Sequence, residues 1–234
     1  MVAEPCFEDA PPEQRPYRPY GTAQALMNSR APEIILSGPA GTGKSRAALE
    51  KLHLCCQKYP GCRALILRQT RVSLSDSALV TFEEKVLPAG HYLLDGPQRA
   101  SRRYYRYRNG SEITVAGLDK PGRVMSTEYD MIYIMEAIEV LEDAWEKCTT
   151  RLGRNSALPF SQLLADTNPD APGHWLKQRA ERGQCRMLES RHEENPAIWD
   201  QVTQAPTPMG RDYLAKLDAL TGVRYQRLRL GLWV

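Results

Sequence analysis

Long apolar runs are missing from this sequence. No stretch approaches the ~18 residues that a membrane-spanning helix requires; the longest, such as Met131-Ile132-Tyr133-Ile134-Met135, are strand-sized. The N-terminus, Met1 to Pro19, lacks the basic start and apolar middle of a signal peptide. A surplus of one charge sign is missing too. The 31 basic and 28 acidic residues leave a formal charge of +3, too little to announce a nucleic-acid partner and too little to exclude one. The six cysteines, Cys6, Cys55, Cys56, Cys62, Cys148 and Cys185, form no CxxC pair, and no His-x-x-x-His accompanies them. That argues against a zinc site and predicts free thiols in a reducing cytoplasm. Internal repeats and low-complexity blocks are also missing. What is present is an ordinary globular composition, 42% hydrophobic and 25% charged over 234 residues. That length buries a core without disulfides or metals to staple it.

Along the chain, residues 1–19 read as an extended arm carrying Pro5, Pro11, Pro12, Pro16 and Pro19. Residues 20–234 contain no linker-like stretch and read as one domain. A short helix is expected from Gly21 to Ser29, then a buried strand over Glu33-Ile34-Ile35-Leu36-Ser37. A helix from Ser45 to Tyr59 follows, stopped by Pro60-Gly61. A second strand spans Arg63 to Arg68, and a second helix Ser75 to Val86. Strands at Tyr104–Tyr107 and Glu112–Ala116 flank Asn109-Gly110, a hairpin turn signal. Further strands are expected at Tyr129–Met135, Ser161–Ala165 and Arg186–Ser190, and helices at Leu141–Cys148 and Arg211–Thr221. Strands alternating with helices predict an α/β fold with a mainly parallel central sheet flanked by helices and an inserted β-hairpin.

Between the first strand and its helix lies Gly38-Pro39-Ala40-Gly41-Thr42-Gly43-Lys44-Ser45, a full match to GxxxxGK[ST]. The residue types follow from phosphate chemistry. Glycines let backbone N–H groups wrap phosphate oxygens without a Cβ clash. The helix N-terminus adds the positive end of its dipole. Lys44 reaches the β and γ phosphates, and the Ser45 hydroxyl ligates Mg²⁺. ATP and Mg²⁺ are therefore the expected ligands. Such a site also needs a carboxylate at the tip of another buried strand. Glu136, where the apolar strand Tyr129–Met135 ends, is the candidate base. The preceding position, expected to be acidic, is Met135, and a thioether cannot ligate or polarise a magnesium water. Asp130, Glu139 or a water takes that work, or the metal is held weakly.

These segments resemble the ATPase half of phage terminase large subunits, the DNA-packaging motors of tailed viruses. Four stretches carry the likeness: Pro19-Tyr20-Gly21-Thr22 before the phosphate loop; Leu67-Arg68 before Ser73 to Phe82; Glu128-Tyr129-Asp130 through Ile132-Tyr133 to Glu136-Ala137; and Thr167-Asn168-Pro169 before His174-Trp175. The resemblance implies an ASCE-type P-loop NTPase that hydrolyses ATP to move double-stranded DNA into a capsid. It implies a homo-oligomeric ring assembled on a portal, a terminase small subunit as partner, and the host cytoplasm as location. By that resemblance Glu136 is the catalytic glutamate, and Thr167 and Asn168 couple hydrolysis to movement. Tyr20 and Gln24 stack on or hydrogen-bond the adenine. Family members carry a nuclease domain after the ATPase. This sequence ends on Leu230-Gly231-Leu232-Trp233-Val234, an apolar segment expected to continue in a longer chain, so no nuclease chemistry is expected of these residues.

Charge is patterned although its sum is small. Arg99, Arg102, Arg103, Arg106 and Arg108 fall within ten residues that contain no acid, interleaved with Tyr104, Tyr105 and Tyr107. Strand alternation would put Arg102, Tyr104 and Arg106 on one face and Arg103, Tyr105 and Tyr107 on the other. Arg102, Arg103 and Arg106 are candidates for contact with DNA phosphates or with an acidic neighbour, against the plainer reading of a solvated hairpin. Arg123 to Glu146 holds one basic and seven acidic residues, which suits a head-to-tail ring. Arg123 is the first candidate for an arginine supplied to a neighbour's γ-phosphate, with Arg68, Arg71 and Arg103 as alternatives. Arg46 is a candidate to hold phosphate or the acidic strand within its own chain. Two other readings stay open: a different P-loop enzyme, helicase-like or a small-substrate kinase, and a weakly hydrolysing nucleotide-dependent assembly module.

Overall fold

The computed structural model describes residues 17–119, 126–155 and 157–234. Of the expected N-terminal arm only Tyr17, Arg18 and Pro19 fall among them.

Period-two alternation divides each central strand between two cores. In β1 (Glu33–Ser37), Ile34 and Leu36 face one side and Ile35 the other. In β2 (Arg63–Arg68), Ala64 and Ile66 oppose Leu65 and Leu67. In β5 (Met131–Ile134), Met131 and Tyr133 oppose Ile132 and Ile134. In β6 (Gln162–Thr167), Leu164 opposes Leu163 and Ala165. Both faces are covered, so the strands read as unbroken apolar runs, the pattern of a parallel sheet. The first core is closed by α2 (Lys44–Lys58) through Ala47, Ala48, Leu49 and Leu52. The second is closed by α5 (Glu142–Thr149) and α6 (Trp175–Glu181) through Trp145, Cys148 and Leu176.

With β3 (Tyr104–Arg106), β4 (Glu112–Gly117) and β7 (Arg186–Glu189), the sheet has seven strands in the order β3-β4-β2-β5-β6-β1-β7. All neighbours are parallel except β3 and β4. The architecture is thus the one expected from the sequence. The hairpin forms at Asn109-Gly110, with the Gly110 N–H donating to the Tyr107 carbonyl at 3.1 Å and Gly110 at φ 83°. Its strand β4 pairs with β2, so the hairpin extends the sheet edge.

Two expectations are corrected. The helix over Ser75–Val86 is broken into α3 (Arg71–Ser75), α4 (Ala78–Thr81) and a π-turn at Phe82–Val86. Serine hydroxyls bond back to the carbonyls of the preceding turn, Ser75 to Arg71 at 3.2 Å and Ser77 to Ser73 at 2.5 Å, and such bonds compete with a continuous helix. The face assignment on the basic strand also fails: Arg103 is exposed where Tyr105 and Tyr107 are buried, and Tyr104 and Arg106 are exposed but not Arg102. Arg102 precedes β3, where alternation does not yet hold, and it is buried. Its guanidinium donates to the carbonyls of Leu93 (2.8 Å), Leu94 (2.7 Å) and Asp95 (3.1 Å) and pairs with Glu83 at 3.3 Å.

The five described cysteines are free and buried; Cys6 lies outside the described residues. Among those residues no helix is long and apolar enough to cross a membrane.

Candidate nucleotide site

β1 ends at Ser37, and the next six residues deliver the chain into α2 at Lys44. The turn is left-handed at Gly41 (φ 79°) and Gly43 (φ 84°), where a Cβ is disfavoured. A side chain at Gly41 would also meet the Tyr213 ring at 2.5 Å. Two of the motif's glycines are therefore required by backbone conformation. α2 starts directly at the loop, so its first N–H groups carry no partner within the helix and face the loop end with the positive dipole.

Lys44 is buried within this turn. Its Nζ donates to the carbonyls of Gly38 (2.9 Å) and Pro39 (2.7 Å) and to Asn168 Oδ1 (3.1 Å). Burial pulls its pKa down to about 8, against the opposing pull of Asp166 and Glu136. Asn168 thus touches the loop lysine directly. Thr167 beside it is buried and donates its hydroxyl to the Asn168 carbonyl at 2.8 Å.

Glu136 follows β5 and takes a left-handed conformation, φ 50° and ψ 56°. That is unusual for a residue with a side chain and is the kind of strain that collects at functional sites. Burial, and then Asp166, push its carboxyl up to about 7, while Lys44 and Arg68 oppose the rise. The Glu136 N–H donates to Asp166 Oδ1 at 3.0 Å.

Asp166 is the residue that sequence reasoning missed. It is 1% exposed, one residue before the end of β6, and its Oδ2 accepts the Ser45 hydroxyl. The expected strand stopped at Ala165, which left the aspartate in a loop. A charged residue directly before Thr167-Asn168 was the available signal. The two carboxylates proposed to stand in for Met135 are engaged elsewhere. Asp130 lies at the opposite end of β5, accepting the Arg63 N–H (2.9 Å) and Asn155 Nδ2 (2.5 Å). Glu139 takes both arms of Arg68, at 3.1 Å each. Met135 itself is buried, with its sulfur 3.3 Å from the Ser77 hydroxyl.

A cavity of about 350 Å³ lies in front of the loop, with Glu136, Asp166, Asn168 and Asn195 in its wall, a size that suits a small-molecule ligand. Two residues from far along the chain hold the loop carbonyls: His192 Nε2 donates to that of Ala40 (2.8 Å) and Asn195 Nδ2 to that of Gly41 (2.6 Å). No sequence motif marked these two residues. Tyr20 lines a small recess beside Thr42 and Gly43, whereas Gln24 is exposed on α1 (Gly21–Asn28) and does not line it. Arg46 donates to Glu50 at 2.8 Å and lies over the Tyr17 ring at 5.2 Å. His174 packs beside Trp175, with ring centroids 5.7 Å apart.

Of the arginine candidates, Arg123 lies outside the described residues. Arg68 is held by Glu139, and Arg71 donates to the Arg102 carbonyl at 2.5 Å. Arg103 is exposed, and Arg106 is exposed and paired with Glu112 at 2.8 Å.

The model of the phage terminase large subunit family matches residues 30–203. No curated protein matches the chain by sequence. Among solved structures, the large terminase of a thermophilic bacteriophage in complex with ADP superposes with a TM-score of 0.72 at 16% identity, over 92% of this chain and 54% of that one. The large terminase ATPase domain of Thermus phage P74-26 superposes with a TM-score of 0.64 at 17% identity, over 93% of this chain and 95% of that domain. The first of these terminases, in complex with ATP-gamma-S, gives 0.63 at 16% identity, over 93% of this chain and 53% of that one. The chain thus spans about half the length of that thermophilic bacteriophage's terminase. These likenesses fit the P-loop NTPase fold expected from the sequence. With the family model covering most of its length, the chain belongs to the phage terminase large subunit family.

Proposed function

We propose that residues 20–234 form the ATP-hydrolysing domain of a viral DNA-packaging motor, acting in the host cytoplasm. The observation that carries this reading is the convergence of Lys44, at the start of α2, with Glu136 and Asn168, just beyond β5 and β6, on one cavity at the glycine-shaped loop. Lys44 gives its charge to the β and γ phosphates in exchange for the loop carbonyls it now holds. The Ser45 hydroxyl beside a buried carboxylate is a hard-oxygen donor pair, which fits Mg²⁺. When bound, the ion neutralises charge on the phosphates. Glu136 orients the attacking water and accepts its proton. Its raised pKa places it near the operating pH, where a general base is most effective. Asn168, bonded to the lysine, registers loss of the γ-phosphate, and Thr167 passes the change into β6. An arginine from a neighbour, Arg123 first, completes the site in a homo-oligomeric ring on the portal. Arg103 and Arg106 are the exposed basic residues for double-stranded DNA or for the neighbour. The terminase small subunit is the proposed partner that recruits DNA.

The test is ATP hydrolysis with and without double-stranded DNA, in the complete motor. Stimulation by DNA is expected. Phosphoryl transfer to a small acceptor in place of DNA-stimulated hydrolysis would refute the motor reading.

The pH profile follows from the two shifted groups. Glu136 works ionised, so kcat/KM should fall as pH drops through about 7. Lys44 works charged, so kcat/KM should fall again as pH rises through about 8. A narrow bell between these limbs is expected in initial-rate measurements. A flat profile from about pH 5.5 to 7 would remove Glu136 from the proton-accepting role.

A further inference from the structure

Position 135 is where an acid is expected, and it holds a buried methionine. The sheet register shows what stands next to it. β5 and β6 are parallel neighbours, and Ile134 is level with Ala165. One residue further, Met135 is level with Asp166. Level residues on adjacent parallel strands point to the same face, with strands about 4.8 Å apart. The face is the one that α2 covers, since Met131, Tyr133 and Met135 pack there, as does Leu164 two residues before Asp166. Ser45, whose hydroxyl the loop motif assigns to the metal, lies in the first turn of α2 and donates to Asp166 Oδ2.

From this register we infer that Asp166 is the carboxylate that holds the Mg²⁺ shell in this chain, doing from β6 what an acid at position 135 would do from β5. The inference rests on the nucleotide-site reading above. Three features support it. Asp166 is buried and bonded to the hydroxyl that the metal would take. Its second oxygen holds the backbone of Glu136, so one carboxylate ties the metal end of the site to the base. The other two carboxylates near β5 are engaged elsewhere, Asp130 at the far end of the strand and Glu139 on Arg68. The Met135 side chain faces Ser77 and the α2 core, and adding Mg²⁺ requires nothing of it.

The decisive measurement is nucleotide affinity as a function of Mg²⁺, read by binding and not by turnover. ADP and ATP-gamma-S are titrated into the full chain with Mg²⁺ or with EDTA. The unmodified chain is expected to bind more tightly with Mg²⁺. Asp166→Asn keeps the oxygen that accepts the Glu136 N–H and removes the charge. It is expected to retain the EDTA affinity while the affinity for Mg²⁺ in the nucleotide complex falls about 10–100-fold. An Asp166→Asn chain with the unmodified chain's Mg²⁺ dependence overturns the assignment. An unmodified chain that binds no nucleotide in either condition refutes the nucleotide site itself, and this inference with it. A second measurement needs no variant. Fe²⁺ replaces Mg²⁺ in the nucleotide complex, and ascorbate with peroxide cuts the backbone near the metal. Cuts at residues 44–46 and 165–167 are expected. Cuts at 44–46 with none at 165–167 overturn the role of Asp166.

Discussion

Glu136→Gln should lower ATP turnover by about 10²–10⁴-fold while leaving nucleotide affinity close to unchanged. Glutamine keeps the size and the left-handed backbone demand of the position and removes only the proton-accepting oxygen. The Glu136 backbone bond to Asp166 is unaffected, because it is made by the main-chain N–H. In the proposed reading, phosphate binding rests on the loop, on Lys44 and on the α2 N-terminus, whose hydrogen bonds the substitution leaves in place. A loss confined to kcat would therefore mark a group that acts in the transition state. Single-turnover hydrolysis beside equilibrium ADP binding separates the two quantities. If Glu136→Gln hydrolyses ATP at the unmodified rate, another group is the base.

The second large effect is on stability. Trp145 is fully buried in α5, edge-on to Trp175 with centroids 5.5 Å apart. Its indole N–H donates to Glu33 Oε2 at 2.8 Å, and the same carboxylate takes both arms of Arg179 at 2.8 and 2.9 Å. One side chain thus joins α5, α6 and the start of the phosphate-loop strand. Trp145→Ala should cost about 3–5 kcal/mol from lost contacts and the cavity left behind, a large share of the roughly 5–15 kcal/mol typical of a domain. Trp145→Phe should cost less, because most of the packing survives and Arg179 still satisfies Glu33. Urea unfolding measures both. A loss below about 1 kcal/mol for the alanine variant would mean that the second core does not depend on this residue. Function should follow, since the Trp175 indole donates to the Val140 carbonyl at 3.0 Å, just beyond Glu136 in the chain. Loosening Trp145 should loosen the turn that carries Glu136.

Much of this molecule was legible before any coordinates. The buried strands announce themselves as apolar runs because both sheet faces are covered, a local property of composition. The loop announces itself because glycine at positions 41 and 43 answers a conformational need that few other residues meet. Asn168 was marked by Thr-Asn-Pro at a strand end, and it does touch Lys44. Arg102 shows the limit of local pattern. Its five-arginine neighbourhood reads as a basic surface, yet its guanidinium closes the carbonyls of a turn eight residues earlier. Charge in a sequence does not say whether the nearest partner is solvent or a main chain folded back upon it.

The sequence alone determined the class of fold, the phosphate loop with Lys44 and Ser45, and the glutamate at the end of β5, because each is encoded in contiguous residues. The tertiary structure decided what answers Met135. Asp166 lies 30 residues beyond Glu136 in the chain and reaches the level and face of Met135 only through the parallel register of β5 and β6. The tertiary structure also decided that His192 and Asn195 brace the loop, through contacts 152 and 154 residues apart in the chain. Such contacts leave no local signature, since a single histidine or asparagine has the same composition whether it meets solvent or a carbonyl across the fold.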